Sequence, residues 1–220
     1  MKFNGKIIKG VAIDFDWTLI KFNYKKAFGE TQKILYYSYP VVAEFIKKHF
    51  MNEKNIIYFQ KFRNQIWESL LKDEKQFILK LQMKYWEVVR STTKENEGAK
   101  SFLNDLKTHG IKIVLITNSD EVFGLKEKRL NESGFDNHVD SVLIGGVHCR
   151  YEKPNKKIFY LAAKKIDLQV SECLMIGDSI ENDIMPAVLS GMHAIQMKEE
   201  GGDWDPSVTS FSQLKAFLEI

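Results

Sequence analysis

Short, continuous apolar runs alternate with longer amphipathic stretches along most of this chain. The runs are rich in β-branched residues and comprise residues 7–13, 111–116, 139–144, 173–176 and 193–197. Runs of this kind are typical of strands buried on both faces of a parallel sheet. The stretches with helical periodicity comprise residues 98–109, 121–133, 155–166, 180–190 and 211–220. The alternation predicts an α/β fold, a doubly wound parallel sheet with right-handed crossovers and helices on both faces.

One long segment, residues 24–95, interrupts this alternation. It is rich in aromatic residues and helical in period, and it contains no run that indicates a buried strand. Apolar residues at helical spacing predict a buried helix face that consists of Phe59, Phe62, Ile66 and Leu70. We therefore predict a core domain of residues 1–22 and 97–220, with an α-helical subdomain of residues 23–96 inserted into it.

Polar side chains follow the predicted strands at the edge where a sheet of this type binds its ligands. Ligands of an open α/β sheet lie beyond the carboxyl ends of the strands. The candidates at these positions are Asp14, Asp16, Thr117, Asn118, Lys153, Asp178 and Asp183. Because they lie far apart in the sequence and converge at one edge, we expect a site with carboxylates, a hydroxyl group and one ammonium group.

The carboxylates at this edge indicate a metal site. Asp14, Asp16 and Asp178, with Asp183 nearby, would raise each other's pKa unless a cation lay among them. Magnesium prefers oxygen ligands, and no histidine that would favour zinc falls beside these residues. The alternative for Asp183 is an ordinary place in the first turn of a helix, where a carboxylate interacts favourably with the helix dipole.

Four motifs at these positions resemble those of the haloacid dehalogenase superfamily. Residues 14–19, Asp-Phe-Asp-Trp-Thr-Leu, resemble the first motif, and residues 115–119, Leu-Ile-Thr-Asn-Ser, resemble the second. Lys153 with Pro154 resembles the third, and residues 176–183, Ile-Gly-Asp-Ser-Ile-Glu-Asn-Asp, resemble the fourth. The motifs stand in the family's order with similar spacing. The resemblance implies a Rossmann-like core and a Mg²⁺-dependent phosphatase.

The resemblance also implies roles for the carboxylates. Asp14 would be the nucleophile, forming an aspartyl-phosphate, and would bind the metal. Asp16 would be the general acid and then the general base, and its main-chain carbonyl would bind the metal. Asp178 would bind the magnesium directly. Asp183 would hold a metal-bound water or orient Lys153.

The remaining motif residues would bind the phosphoryl group. Thr117 would donate its hydroxyl to a phosphoryl oxygen, and the main-chain N–H of Asn118 would assist. Lys153 would offset negative charge on the nucleophile and on the transferring group. The resemblance further implies that the inserted subdomain is a cap that selects the leaving group, so the partner would be a small phosphorylated substrate.

Other reactions share parts of this pattern. A haloacid dehalogenase lacks an aspartate two residues after its nucleophile, so Asp16 argues against that reaction. A phosphosugar mutase keeps both aspartates and stays an alternative. A phospho-acceptor signalling module also uses an acidic cluster, a hydroxyl and a lysine, but it has neither the helical insert nor the second aspartate.

The composition sets further expectations. The formal net charge is +3 and 28% of residues are charged, which gives no reason to expect nucleic acid or a membrane surface as partner. No apolar run approaches the length of a membrane span, and the two cysteines lack metal-ligand spacing. We expect a cytoplasmic protein that is a monomer or a weak homodimer.

Overall fold

The structure divides into two compact units, one of which interrupts the sequence of the other. The computed structural model describes residues 1–51, 55–120, 122–198 and 200–220. The first unit comprises Met1–Lys21 and Lys94–Ile220, and the second comprises Phe22–Thr93. The second unit therefore overlaps the insert predicted at residues 23–96.

The strands that the structure describes lie in the first unit. In chain order they are β1 (Lys2–Phe3), β2 (Lys6–Ile7), β3 (Gly10–Ile13), β4 (Ile20–Lys21), β5 (Lys94–Glu95), β6 (Lys112–Asn118), β7 (Ser141–Gly145), β8 (Cys173–Gly177), β9 (His193–Met197) and β10 (Ser207–Val208). Six of them form a sheet in the order β10-β9-β8-β3-β6-β7, and its pairs are parallel. This confirms the predicted fold class. The antiparallel pairs β1–β2 and β4–β5 were not predicted, because strands of two residues are too short to show a periodic pattern.

The centre of the sheet is buried on both faces, as the continuous apolar runs predict. All residues of β3 and β8 are buried. In the register of the sheet, Ile13 lies opposite Leu115 of β6 on one side and Ile176 of β8 on the other. The residues that follow these strands consequently lie side by side at one edge.

The second unit consists of helices in its described part. They are α1 (Tyr24–Ser38), α2 (Pro40–Phe50), α3 (Ile56–Leu71) and α4 (Lys75–Thr92). The predicted buried face of α3 is confirmed at Phe59 and is wrong at its other three positions. Among the described side chains of this helix, the buried ones are Ile56, Phe59, Arg63, Trp67 and Leu71, whereas Phe62, Ile66 and Leu70 are half-buried.

An arginine explains the rotation of α3. The guanidinium of Arg63 lies 4.0 Å from the ring centroid of Tyr85 on α4. A cation over an aromatic face is stabilised by the ring's quadrupole, so Arg63 occupies a position that a hydropathy pattern assigns to solvent. The true face therefore runs through Arg63 and the apolar residues in line with it.

The helices of the first unit cover the sheet. They are α5 (Ala99–Thr108), α6 (Leu125–Ser133), α7 (Lys156–Lys165), α8 (Met185–Val188) and α9 (Phe211–Leu218). The predicted start of α6, Glu121, lies outside the described residues. No helix in the described part of the chain is both long and apolar enough to cross a membrane.

The helix predicted at residues 180–190 begins differently from an ordinary α-helix. Ile180–Ile184 form a π-helical turn that continues into α8. Pro186 lacks an amide hydrogen, so the usual α-helical bond to residue 182 cannot form there. Such turns are frequent at functional sites, and this one carries Asp183.

Candidate active site

The edge of the sheet beyond β3 and β8 places Asp14 and Asp178 next to each other. The backbone N–H of Asp14 donates to the carbonyl of Ile176 at 2.9 Å, which continues the pairing of the two strands. The turn after β8 adds Asp183, because its Oδ2 accepts a hydrogen bond from the backbone N–H of Ser179 at 3.1 Å. Two strand ends and one helical turn thus supply three carboxylates.

We call Asp14, Asp178 and Asp183 the acidic cluster. Each offers a carboxylate oxygen, and these oxygens all lie within 4.8 Å of one another. Lys153 lies against the cluster, and its Nζ donates to Oδ1 of Asp14 and to Oδ1 of Asp183, both at 2.5 Å. Asp14, Asp183 and Lys153 are buried. One ammonium therefore faces three carboxylates among the described residues.

The pKa values reflect burial first and this excess of negative charge second. Burial raises the pKa of Asp14 to about 7, which Lys153 opposes and Asp183 reinforces. Burial, followed by the charges of Asp14 and Asp183, also raises the pKa of Asp178 well above its ordinary value. Burial disfavours the charged form of Lys153, but the two carboxylates outweigh it and raise the pKa of this ammonium. Lys153 alone does not balance the charge of the three carboxylates.

A hard divalent cation fits this set of donors. It would remove the repulsion that raises the pKa of the carboxylates. Oxygen donors without imidazole or thiolate suit magnesium better than zinc. The residues that could hold such a cation are therefore those of the acidic cluster.

Asn118 and Thr117 lie at the end of β6, next to the loop that carries Lys153. The Asn118 side chain donates through Nδ2 to the carbonyl of Lys153 at 2.9 Å, and its Oδ1 accepts the Lys153 backbone N–H at 2.7 Å. Sequence reasoning considered the main-chain N–H of Asn118 and missed this use of the side chain. The Thr117 hydroxyl is buried and lies 3.4 Å from the Asn118 carbonyl, a long contact that holds it weakly.

The side chain of Asp16 lies in a different group. Its carboxylate accepts from Lys126 through Oδ2 and from Arg129 through Oδ1, and both cations also contact Asp120. We call Asp16, Asp120, Lys126 and Arg129 the second charge network. Burial favours the neutral form of Asp16, but Arg129 and Lys126 outweigh it and hold the pKa of this carboxyl well below its usual range.

Sequence reasoning missed three members of the second charge network. It predicted one ammonium group at this edge, Lys153, whereas the structure adds Lys126, Arg129 and their partner Asp120. The sequence signal is a pair of basic residues three apart on a predicted helix, and solvated helices share this spacing. Nothing local to α6 shows that the pair is buried.

Comparison with known proteins gives the family and a set of partial relatives. A model of the haloacid dehalogenase-like hydrolases matches residues 8–191. N-acylneuraminate-9-phosphatase from Homo sapiens is 30% identical over 98 residues, which are 44% of this chain and 38% of that protein. YigB from Escherichia coli, a 5-amino-6-(5-phospho-D-ribitylamino)uracil phosphatase, is 34% identical over 115 residues, 49% and 41% of the two chains. The chain thus spans about two fifths of the length of these curated relatives.

A solved structure resembles almost the whole chain. YfnB from Bacillus subtilis, a protein of the same superfamily that was crystallised with magnesium bound, gives a TM-score of 0.68 at 17% identity. The match covers 98% of this chain and 100% of that one. A structural match of this quality at so low an identity shows a shared fold and no more.

Proposed function

Because the chain belongs to the haloacid dehalogenase-like hydrolases, we propose that it is a magnesium-dependent phosphomonoesterase acting on a small phosphorylated metabolite. The observation that carries the proposal is the acidic cluster with Lys153 held against the carboxylate of Asp14. Two curated relatives are phosphatases by name, which supports the same class of reaction. The helical unit would serve as the cap that selects the leaving group.

Asp14 is the proposed nucleophile. One of its oxygens forms a bond to phosphorus while the bond from phosphorus to the leaving oxygen breaks, which gives an aspartyl-phosphate. The hydrogen bond from Nζ of Lys153 to Oδ1 of Asp14 fixes the orientation of the carboxylate and leaves Oδ2 to attack phosphorus. Lys153 also offsets the charge that develops on the transferring group. Asp183 orients Lys153, a role supported by their 2.5 Å contact.

Asp16 is the proposed acid and base. In the first step a proton passes from its carboxyl group to the leaving oxygen; because Arg129 and Lys126 hold the pKa of Asp16 well below its usual range, this step uses the minor, protonated form of the carboxyl. In the second step a water oxygen bonds to phosphorus, the bond from phosphorus to Asp14 breaks, and a water proton returns to Asp16. Inorganic phosphate is then released. The Asp16 side chain retains 22% of its surface exposed, which supports access to both protons.

Thr117 and Asn118 are proposed to bind the phosphoryl oxygens, through the hydroxyl and the main-chain N–H respectively. Asp14 and Asp178, with the main-chain carbonyl of Asp16, would hold the magnesium ion. When bound, magnesium supplies positive charge that stabilises the phosphoryl oxygens in the transition state.

The proposal is tested by measuring release of inorganic phosphate. We expect p-nitrophenyl phosphate and some members of a panel of phosphorylated metabolites to be hydrolysed with Mg²⁺, and EDTA to abolish the activity. Asp14→Asn should also abolish it, whereas the matched change Asp167→Asn, at an exposed position, should have little effect. Activity that survived EDTA or Asp14→Asn would contradict the mechanism.

The same assay separates the alternative functions. A phosphosugar mutase would interconvert phosphosugar isomers without releasing inorganic phosphate. A phospho-acceptor signalling module would accumulate a phosphorylated aspartate that persists for minutes. Either result in place of steady phosphate release would overturn the proposed function.

A further inference from the structure

Helix α6 buries two cations on the face that meets Asp16. Lys126 is 3% exposed and Arg129 is 1% exposed. Residues three apart on a helix lie on the same face, so both side chains reach the same neighbours. Lysine and arginine are almost never fully buried unless they are paired, so the role of these two residues depends on the groups that they contact.

The partners of the two cations are two carboxylates that alternate with them. Asp16 binds Arg129 through Oδ1 and Lys126 through Oδ2. Asp120 accepts from Lys126 at 2.8 Å and from Nη1 of Arg129 at 3.1 Å and 3.2 Å. The Asp120 side chain is 1% exposed, whereas that of Asp16 is 22% exposed. Of the four groups, Asp16 is the one that reaches solvent.

Stability alone does not account for this arrangement. Taking four charged groups out of water is costly, and a buried ion pair is often no more stabilising than apolar residues of similar volume. The guanidinium fork of Arg129 does give something that apolar packing cannot, because two N–H groups fix the plane of a carboxylate. At Asp16, Nη2 of Arg129 donates to Oδ1 and Nη1 lies 3.4 Å from Oδ2, so both arms of the fork face this carboxylate, whereas the contacts to Asp120 come from Nη1.

We propose that Lys126 and Arg129 are positioning residues for Asp16, and that Asp120 is the counter-ion that holds them in place. The proposal rests on the proposed function, in which Asp16 exchanges protons with the leaving group and with water. A carboxylate has about four acceptor sites, two on each oxygen. Oδ2 of Asp16 accepts from Lys126 and from Nη1 of Arg129, whereas Oδ1 accepts from Nη2 of Arg129, so these contacts orient Asp16 and leave one site of Oδ1 for proton transfer. In this scheme both cations act through Asp16, and neither contacts the substrate.

A double-mutant cycle between Arg129 and Asp16 tests the proposal. General acid–base catalysis contributes about 10²–10⁴-fold, so a misdirected Asp16 in Arg129→Gln should lower kcat by about 10-fold or more. KM should change by less than about threefold, because the lost interaction acts on the transition state. In an Asp16→Asn background the same Arg129→Gln change should lower kcat by less than about twofold, because the carboxylate that Arg129 positions is no longer there.

Two further variants control for folding and for charge. Lys128→Gln removes a cation from an exposed position of the same helix and should leave kcat unchanged. Arg129→Lys keeps the charge and should restore part of the activity; it replaces Arg129→Gln in the cycle if that variant fails the check by circular dichroism and thermal unfolding.

The outcomes separate the two proposals. Equal losses from the Arg129 change in both backgrounds, or a folded Arg129→Gln enzyme with wild-type kcat, overturn the positioning role and leave the proposed function standing. A wild-type protein that releases phosphate from no substrate overturns both. A loss confined to the background that retains Asp16 supports the positioning role.

Discussion

Replacing Gly177 by alanine tests how tightly the fold holds Asp183. Gly177 ends β8, and a Cβ atom at this position would lie 2.5 Å from the Cβ of Asp183 and 2.6 Å from its Cγ. Asp183 cannot move aside freely, because it is 1% exposed and its carboxylate is bonded to Lys153 and to the backbone of Ser179. Either the strand end shifts or the carboxylate leaves its partners.

The expected losses of stability and of metal affinity follow from the overlap between the added Cβ and Asp183. Adding a methyl group to a closely packed interior typically costs about 1–3 kcal/mol of unfolding free energy. Displacing a residue that orients a metal site typically weakens metal binding by about 10- to 100-fold. We expect Gly177→Ala to show both effects, in denaturant unfolding and in calorimetric titration with Mg²⁺.

Gly29→Ala is the matched control, because it adds the same atom where there is room. Gly29 lies within α1, and apart from its chain neighbours and the backbone of its own helix no heavy atom would lie within 4 Å of the added Cβ. Alanine within a helix is favoured over glycine by about 0.5–1 kcal/mol, so this variant should be slightly more stable than the wild type. Wild-type stability and Mg²⁺ affinity in Gly177→Ala would refute the view that Asp183 is held rigidly.

Two further predictions concern buried groups near the sheet. The buried side chain of Gln196 donates to the Asp178 carbonyl at 2.8 Å and accepts from the Trp204 N–H at 3.1 Å. Gln196→Leu should therefore lower the free energy of unfolding by about 1–3 kcal/mol and speed hydrogen exchange at the Trp204 amide. Unchanged exchange at that amide would count against this bridge. Burial raises the pKa of the Cys173 thiol to about 12, so Ellman's reagent should label the native protein at Cys149 and reach Cys173 only after denaturation. Rapid labelling of native Cys149→Ser would show that Cys173 is accessible.

The parallel sheet could be predicted from the sequence because its signal is local. A strand buried on both faces needs apolar residues at consecutive positions, and β3 and β8 show this directly. The place of Asp14 and Asp178 at one edge follows from the direction of those strands. The two-residue strands lack any such signal, so the pairs β1–β2 and β4–β5 could not be found.

The buried charges could not be predicted, because each depends on a partner that is distant in the sequence. Lys126 and Asp16 are 110 residues apart, and the helix pattern around Lys126 resembles that of a solvated helix. Arg63 on α3 is a similar case, since the ring of Tyr85 that accommodates it belongs to the next helix. In both places the hydropathy pattern predicts an exposed cation, whereas tertiary contacts place that cation in the interior.

Counting formal charges explains why two aspartates only two residues apart have opposite electrostatic environments. When ionised, the three carboxylates of the acidic cluster with Lys153 carry a net charge of minus two, which a divalent cation brings to zero. The second charge network has two carboxylates and two cations and is already neutral. Burial favours the neutral form of both carboxyls; the single ammonium at Asp14 does not offset it and the pKa is raised, whereas the two cations at Asp16 outweigh it and lower the pKa. A need for a divalent cation therefore arises at Asp14 and not at the side chain of Asp16, so chelation should disturb the acidic cluster and leave the contacts of α6 with Asp16 in place.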